Sequence, residues 1–273
     1  MTGSNTKPLV TIITSTFNSE KYIEETIKSV INQTYTNWEW IIVDDCSDDS
    51  TKDLIAKYEE KDTRIKLVSL KTNSGGPAKP RNTALMIASG DFICFLDSDD
   101  VWIKNKIEKQ LASIGDFDGV CSNFNIIDSK SNFVKHVNKS FAVKILKVFL
   151  KDRLIYFTNY ININSAMIRN KKDHQFREEK EFVAIEDWIF WIEFIRNGQN
   201  IKLIPEPLID YRVHQNAISQ WNSNASHKKA LHFFANFYKE KNITYFDFIL
   251  ITIVIRIKML FRKTKRVLLG QID

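Results

Sequence analysis

Asp91–Asp100, DFICFLDSDD, joins a short apolar run to a cluster of carboxylates. Phe92, Ile93, Cys94, Phe95 and Leu96 are continuously apolar, which fits a strand buried on both faces of a parallel sheet better than a half-exposed one. Asp97, Ser98, Asp99 and Asp100 follow at its carboxyl end, where open α/β sheets take their ligands. Three carboxylates this close repel one another unless a cation lies between them, and oxygen donors suit Mg²⁺ or Mn²⁺. A divalent ion bridging them to a diphosphate is the chemistry the stretch implies. The competing reading has Ser98 to Asp100 merely capping the next helix, since Ser and Asp are favoured at helix starts.

Working outward, the same strand-then-helix unit recurs. Leu9 to Thr16 (LVTIITST) is β-rich, with Asn18 or Ser19 placed to cap a helix whose inner face is Ile23, Ile27, Val30 and Ile31. Trp38 to Val43 ends in Asp44 and Asp45; Ser50 with Asp53 makes a capping box for a helix carrying Leu54, Ile55 and Tyr58. Ile65 to Leu70 reads as a third strand. Asn73 to Pro80 (NSGGPAKP) is a shaped turn before a helix starting near Arg81. After the acidic strand, Trp102, Ile103, Ile107 and Leu111 mark another helix. Four such units at intervals of about 25 to 30 residues predict a parallel, doubly wound sheet with right-handed crossovers. The turn STFNSE after the first strand lacks GxGxxG, which argues against a dinucleotide-binding dehydrogenase.

The composition agrees with a globular α/β chain. It has 273 residues, 44% hydrophobic and 12% aromatic, ample for a core. A net charge of +6 and a pI near 9.0 favour an anionic partner without choosing among nucleic acid, membrane and phosphorylated substrate. Cys46, Cys94 and Cys121 are an odd number without metal-type spacing, and read as reduced residues of a cytosolic protein. The polar start MTGSNTKPLV predicts no signal peptide, and no apolar run approaches the roughly 18 residues that span a bilayer.

Beyond Val120 the alternation breaks down. FNIIDSKSNFVKHV reads as a hairpin and NSAMIR, Asn164 to Arg169, as a further strand. IEDWIFWIEFI, Ile185 to Ile195, is a helix buried at its start or nearly all round. Its Glu186 and Asp187 either complement the helix dipole or supply a general base. Asn200 to His214 gives two extended runs broken by Pro205 and Pro207, ending in Arg212 and His214, which would suit a diphosphate or a metal. From Phe246 the chain is apolar and basic, with Arg256, Lys258, Arg262, Lys263, Lys265 and Arg266 and no acid between Asp247 and Asp273. Such a helix lies on an anionic leaflet, or docks on the domain with a solvated basic face. At the surface six such cations contribute ~1 kcal/mol each, enough for reversible attachment with a few buried apolar side chains.

Taken together, VTIITSTFN, QTYTNWEWIIVDDCSDDST, NSGGPAKPRNTAL, FLDSDD, the ED of IEDWIFW and YRVHQNAIS resemble, in order, the family-2 inverting glycosyltransferases. The resemblance covers about residues 8 to 216. It implies the nucleotide-diphospho-sugar transferase (GT-A) fold, a Rossmann-like, mostly parallel central sheet flanked by helices. A domain 1–216 would comprise a nucleotide-sugar half (about 8–120) and an acceptor half (about 121–216), followed by a helical basic extension, 217–273.

By the same resemblance Thr16 and Phe17 match the uracil contacts, Phe17 standing where tyrosine is more usual and Ser15 where proline is. Asp45 matches the residue that hydrogen-bonds uracil, with Asp44 beside it. Arg81 and Asn82 match the ribose and diphosphate contacts. Asp97, Ser98 and Asp99 match the DxD motif, Asp97 towards ribose and sugar and Asp99 towards a Mn²⁺ or Mg²⁺ ion, with Asp100 sharing these duties and His214 completing the metal or diphosphate site. Asp187 matches the catalytic base.

The activity this implies is inverting transfer of a hexose or N-acetylhexosamine from a UDP-sugar to an acceptor hydroxyl. A lipid-linked glycan of bacterial surface polysaccharide (lipopolysaccharide or capsule) is the acceptor expected. The protein would be cytoplasmic and peripheral on the inner face of the plasma membrane, held to anionic lipid by 246–266. No nucleic-acid partner is expected, because the basic residues cluster in one tail and no recognition motif occurs. A sugar nucleotidyltransferase would need a glycine- and arginine-rich phosphate loop that STFNSEKY does not offer. A non-catalytic glycan- or nucleotide-binding partner of another transferase commonly loses the carboxylates that Asp97, Asp99 and Asp187 retain here.

Overall fold

The computed structural model describes residues 7–214 and 224–268, with side chains for 7–214 and 225–260. Its first half is β1 (Val10–Thr16), α1 (Ile23–Ile31), β2 (Trp38–Asp44), α2 (Thr51–Glu59), β3 (Ile65–Ser69), α3 (Ala78–Ile87) and β4 (Phe92–Phe95). The strands begin every 27 or 28 residues and pair in parallel, β1 with both β2 and β4, and β2 with β3. Side chains alternate across the sheet. Ile13, Ile41, Val43, Ile93 and Phe95 enter one apolar cluster; Ile12, Trp40, Ile42, Phe92 and Cys94 enter the other. Burial on both faces is why these strands are continuous apolar runs. Between α3 and β4 the chain turns at Gly90, where a Cβ would stand 2.6 Å from the Thr11 nitrogen. Only glycine lets β4 approach β1 this closely.

The second half comprises β5 (Val101–Trp102), α4 (Lys106–Ile114), β6 (Gly119–Ile127), β7 (Phe133–Val137), α5 (Ser140–Leu150), α6 (Leu154–Phe157), β8 (Met167–Arg169), α7 (Glu186–Arg196), β9 (Ile201–Arg212), α8 (Asn224–Lys239) and α9 (Tyr245–Leu268). The sheet order is β3-β2-β1-β4-β8-β6-β9-β5, with β7 paired to β6. β8 is antiparallel to β4 and β6, and β7 to β6, whereas β6 and β9 are parallel. The sheet is therefore parallel on one side and mixed on the other. α1, α2 and α4 cover one face through Ile27, Ile55 and Ile107; α3, α7, α8 and α9 cover the other through Ala84, Trp191, Phe234 and Ile255. At about 1.5–3 kcal/mol per fully buried large apolar side chain, these two layers are the main stabilising term.

Several local expectations are corrected. Trp102 lies in β5, paired to Ile209, and α4 begins only at Lys106, so Ser98 to Asp100 do not cap it. Ser50 makes no side-chain cap for α2. Instead Asp49 accepts the Thr51 N–H at 2.9 Å, so the capping acid precedes the helix and the Ser50–Asp53 box does not form. α1 starts at Ile23 after a turn in which the Ser19 carbonyl accepts the Tyr22 and Ile23 N–H groups. Pro205 and Pro207 do not break the extended segment. β9 runs through both, because the β6–β9 register shifts at Asn123, whose amide donates to the Pro205 carbonyl at 2.6 Å. A proline is tolerated where the ladder needs no donor. The hairpin expected after Val120 is β6–β7, and α7 is buried at nearly every position.

The described part of the tail, to residue 268, is one helix, α9. Ile251 and Ile255 are buried against the domain, while Phe246, Ile249, Ile253 and Ile257 are exposed. Among the described residues no helix is long and apolar enough to cross a membrane. The start of the chain through residue 6, the QNAIS part of the last motif, and the side chains of Arg262, Lys263, Lys265 and Arg266 lie outside what is described.

Candidate active site

All four parallel strands end on one side, and the loops after them converge there. The Arg81 guanidinium, on the buried side of α3, is the hub. It donates to Asp97 Oδ1 at 2.7 Å and to Glu186 Oε1 at 3.1 Å, joining the end of β4 to the start of α7. Burial works against its charge, but Asp97 and Glu186 outweigh that and hold it cationic. Asp97 is fixed on its other side by Asn164, whose amide oxygen takes the Asp97 N–H and whose nitrogen donates to Asp97 Oδ2 at 2.9 Å. Asp97 keeps about a third of its side chain exposed, with 32% relative accessibility.

Asp99 faces the other way. Its Oδ2 lies 2.8 Å from His214 Nε2, and the imidazole packs on Tyr22 with ring centroids 4.9 Å apart. Asp100 turns inward. It is fully buried, with one carboxylate oxygen on the Arg212 N–H and the other on the Asn164 amide. Burial first, then the charges of Asp99 and Asp97, push its carboxyl well above the usual range. Ser98 is held by Ser19 at 2.7 Å.

Asp187 is buried at the first turn of α7. One oxygen accepts the Trp188 N–H at 2.7 Å, and the other accepts the Asn159 amide at 3.1 Å. Burial, then repulsion from Glu186, raises its pKa to about 7, and Arg81 tempers the rise. A carboxylate tuned to neutrality in a cleft is suited to proton transfer. Glu186, the neighbour, is spent on Arg81 and leaves its second oxygen buried without a partner among the described residues.

At the opposite lip, Thr16 and Asp44 end β1 and β2 in register. The Thr16 hydroxyl and Asp44 Oδ1 are buried without partners among the described residues, and Phe17 is exposed beside them. Asp45 holds the following loop: its two oxygens take the Ser74 N–H and hydroxyl at 2.7 and 2.8 Å. A carboxylate has lone pairs to spare for a further donor.

A family model described as Glycosyl transferase family 2 matches residues 11–176. The chain belongs to that family. Among curated relatives, the Escherichia coli UDP-Glc:alpha-D-GlcNAc-diphosphoundecaprenol beta-1,3-glucosyltransferase WfgD is 35% identical over 77% of this chain and 79% of its own. The poly(ribitol-phosphate) beta-N-acetylglucosaminyltransferase TarS of Staphylococcus aureus is 33% identical over 73% of this chain. The glycosyltransferase TuaG of Bacillus subtilis is 53% identical over 40% of it. The matched chain spans only 42% of TuaG and 35% of TarS. The crystal structure of S. aureus TarS 1-349 with UDP-GlcNAc superposes with a TM-score of 0.64 at 26% identity, covering 83% of this chain and 65% of that one. The mannosyltransferase PcManGT of Pyrobaculum calidifontis, with GDP-Man and Mn2+, shares the fold at a TM-score of 0.65 and 19% identity, over 92% of this chain and 69% of that one. The architecture is thus the GT-A fold of these glycosyltransferases.

Within this family-2 chain, two residues expected at the ligand point elsewhere. Asn82 spends its amide on the Phe176 backbone and Glu178, bracing the 176–178 segment. Arg212 is buried, and its guanidinium donates to the Asp99 and Asp128 carbonyls, Ser131 and Glu25, so it ties β9 to α1 and the β6–β7 turn. Asn159, Asn164 and the bridging role of Glu186 escaped sequence reasoning. The only local signal was an unusual run of asparagines in an apolar segment, NYININS.

A divalent ion fits part of this donor set. Among the described residues no three His, Cys, Asp or Glu side chains converge as metal ligands. Asp100 is fully buried on Asn164 and the Arg212 N–H, and Asp97 turns to Arg81 and Asn164, whereas Asp99 and His214 meet as a two-ligand half-site. Mg²⁺-type ions are commonly held by one or two carboxylates together with substrate phosphates.

Proposed function

We propose that this chain transfers a hexose or N-acetylhexosamine, with inversion, from a UDP-sugar to a hydroxyl of a lipid-linked glycan in bacterial surface-polysaccharide assembly. The observation that carries the reading is the Arg81 bridge. A single buried guanidinium ties the carboxylate cluster after β4 to the helix start that bears Asp187, so donor-side and acceptor-side groups share one cleft. The UDP-Glc and diphosphoundecaprenol in WfgD's name and the UDP-GlcNAc bound to TarS support the donor and acceptor classes.

In this reading Asp187 takes the proton of the acceptor hydroxyl as that oxygen attacks the anomeric carbon from the face opposite UDP. Asn159 and the Trp188 N–H orient the carboxylate. Arg81, held cationic by Asp97 and Glu186, faces the diphosphate region, and Asp97 receives ribose or sugar hydroxyls. Thr16, Phe17, Asp44 and Asp45 form the uracil side, where two buried oxygens without partners among the described residues await donors. Asp99 and His214 would hold Mn²⁺ or Mg²⁺, which when bound neutralises charge on the departing diphosphate. Ser98, Asn82 and Asp100 shape the site without touching ligand. Residues 8–120 then serve the donor and 121–216 the acceptor, while 217–273 adds the helices that bring the enzyme to the inner face of the membrane.

Titration calorimetry of UDP tests the donor half. The wild type binds UDP at least about tenfold more tightly with Mn²⁺ than with chelator, and Asp99→Ala loses that difference. Metal-independent binding in both chains would remove Asp99 from the proposed site.

A further inference from the structure

We infer that α5 is a membrane-docking helix, a second lipid-binding element besides α9 and the one that seats the acceptor side of the cleft on an anionic bilayer; this rests on the lipid-linked acceptor proposed above. α5 is built unlike a surface helix. Val143 is its only buried residue, whereas Phe141, Val148 and Phe149 are 76%, 71% and 79% exposed, and Ile145 and Leu146 are exposed as well. A folded chain in water rarely displays so much contiguous large apolar surface without a partner.

The charges beside it identify that partner. Residues 139–153, KSFAVKILKVFLKDR, hold five cations against one acid, Asp152, and α5 itself has none. Lys144 and Lys151 are exposed. Two copies of this face packed together would oppose like charges, while anionic lipid headgroups neutralise them as the aromatic and aliphatic groups enter the acyl boundary.

Its position joins it to the rest of the docking surface and to the chemistry. Through Lys151–Arg153 it continues into α6, which packs on α7 and α9. Arg153 pairs with Asp247 of α9, and Lys258 donates to the Phe157 carbonyl at 2.7 Å. α9 adds a stripe of exposed Phe246, Ile249, Ile253 and Ile257 at helical spacing. At the other end of α5, Lys139 donates to the Asn159 carbonyl at 3.4 Å, and Asn159 donates to Asp187. The helix that enters the lipid is therefore rooted two hydrogen bonds from the proposed base, which sets the base close to headgroup level, where a lipid-linked acceptor presents its sugar.

Cosedimentation of the full chain with vesicles of phosphatidylglycerol and phosphatidylcholine in equal parts, and of phosphatidylcholine alone, tests this. The wild type partitions into the anionic vesicles, and the double variant Phe141→Ser/Phe149→Ser lowers that partitioning about tenfold or more. UDP affinity and the urea midpoint, read on the same samples, stay unchanged, which separates lost docking from a misfolded or inactive chain. If wild type fails to bind UDP, the donor assignment fails while the vesicle result still stands. Equal partitioning of variant and wild type overturns the inference. So does a wild type that ignores vesicles and forms a dimer abolished by the same substitutions, which would make the face an interface between copies.

Discussion

The two halves of the sheet are built by different rules. From β1 to β4 each element follows from its own residues, with an apolar run, a polar turn and an amphipathic helix recurring every 27 or 28 residues. From β6 to β9 the chain is held by side-chain bonds between distant residues. Asn164 reaches back 67 positions to Asp97, and Arg81 forward 105 to Glu186. The parallel half makes a generic ledge of strand ends; the mixed half turns that ledge into a cleft of defined chemistry.

Breaking the join between them should have the largest effect. Arg81→Ala leaves the buried Glu186 carboxylate without its cation and Asp97 with Asn164 alone, and a urea titration should show about 3–5 kcal/mol lost. If stability were unchanged, the bridge would not be holding the halves together. Asn164→Ala removes one brace from the same junction. It should cost about 1–3 kcal/mol by the same titration, because the Asp97 N–H and one carboxylate oxygen each of Asp97 and Asp100 lose the Asn164 amide. The smallest effect sharpens the comparison inside the legible half. Asp49→Ala should cost about 1 kcal/mol and Ser50→Ala under about 0.5 kcal/mol, since only Asp49 caps α2. The reverse order would restore the capping box expected from the sequence.

The same contrast explains what could be read in advance. Strands β1 to β4 and the buried character of α7 were legible because period and apolar content are local properties of the chain. The family resemblance implies one metal site of Asp97, Asp99 and His214; the structure brings Asp99 to His214, while Asp97 turns to Arg81 and Asn164. Asp100 and Arg212 could not be placed from sequence. Whether a polar side chain faces a cleft or a backbone depends on which neighbours folding delivers, and Arg212 met carbonyls from two distant turns. Trp102 falls in a strand and not in the expected helix, because an apolar residue after a turn fits a short strand as well as a helix start. Ser50 and Asp53 have capping-box spacing, yet the preceding Asp49 reached the free N–H first. α5 went unread because its apolar residues resemble those of any buried helix until its exposure is known.

The proposed role of Asp187 as a general base tuned by burial is tested most directly by the rate of sugar transfer against pH. The base must be ionised to accept a proton, so with a pKa raised to about 7 the wild-type rate should climb up to pH 7 and level off above it. Asp187→Asn should lower the plateau by about 10²–10⁴-fold while UDP-sugar affinity stays within about threefold at every pH. A wild-type rate independent of pH between 5 and 9, or a variant retaining more than about a tenth of it, would contradict the assignment.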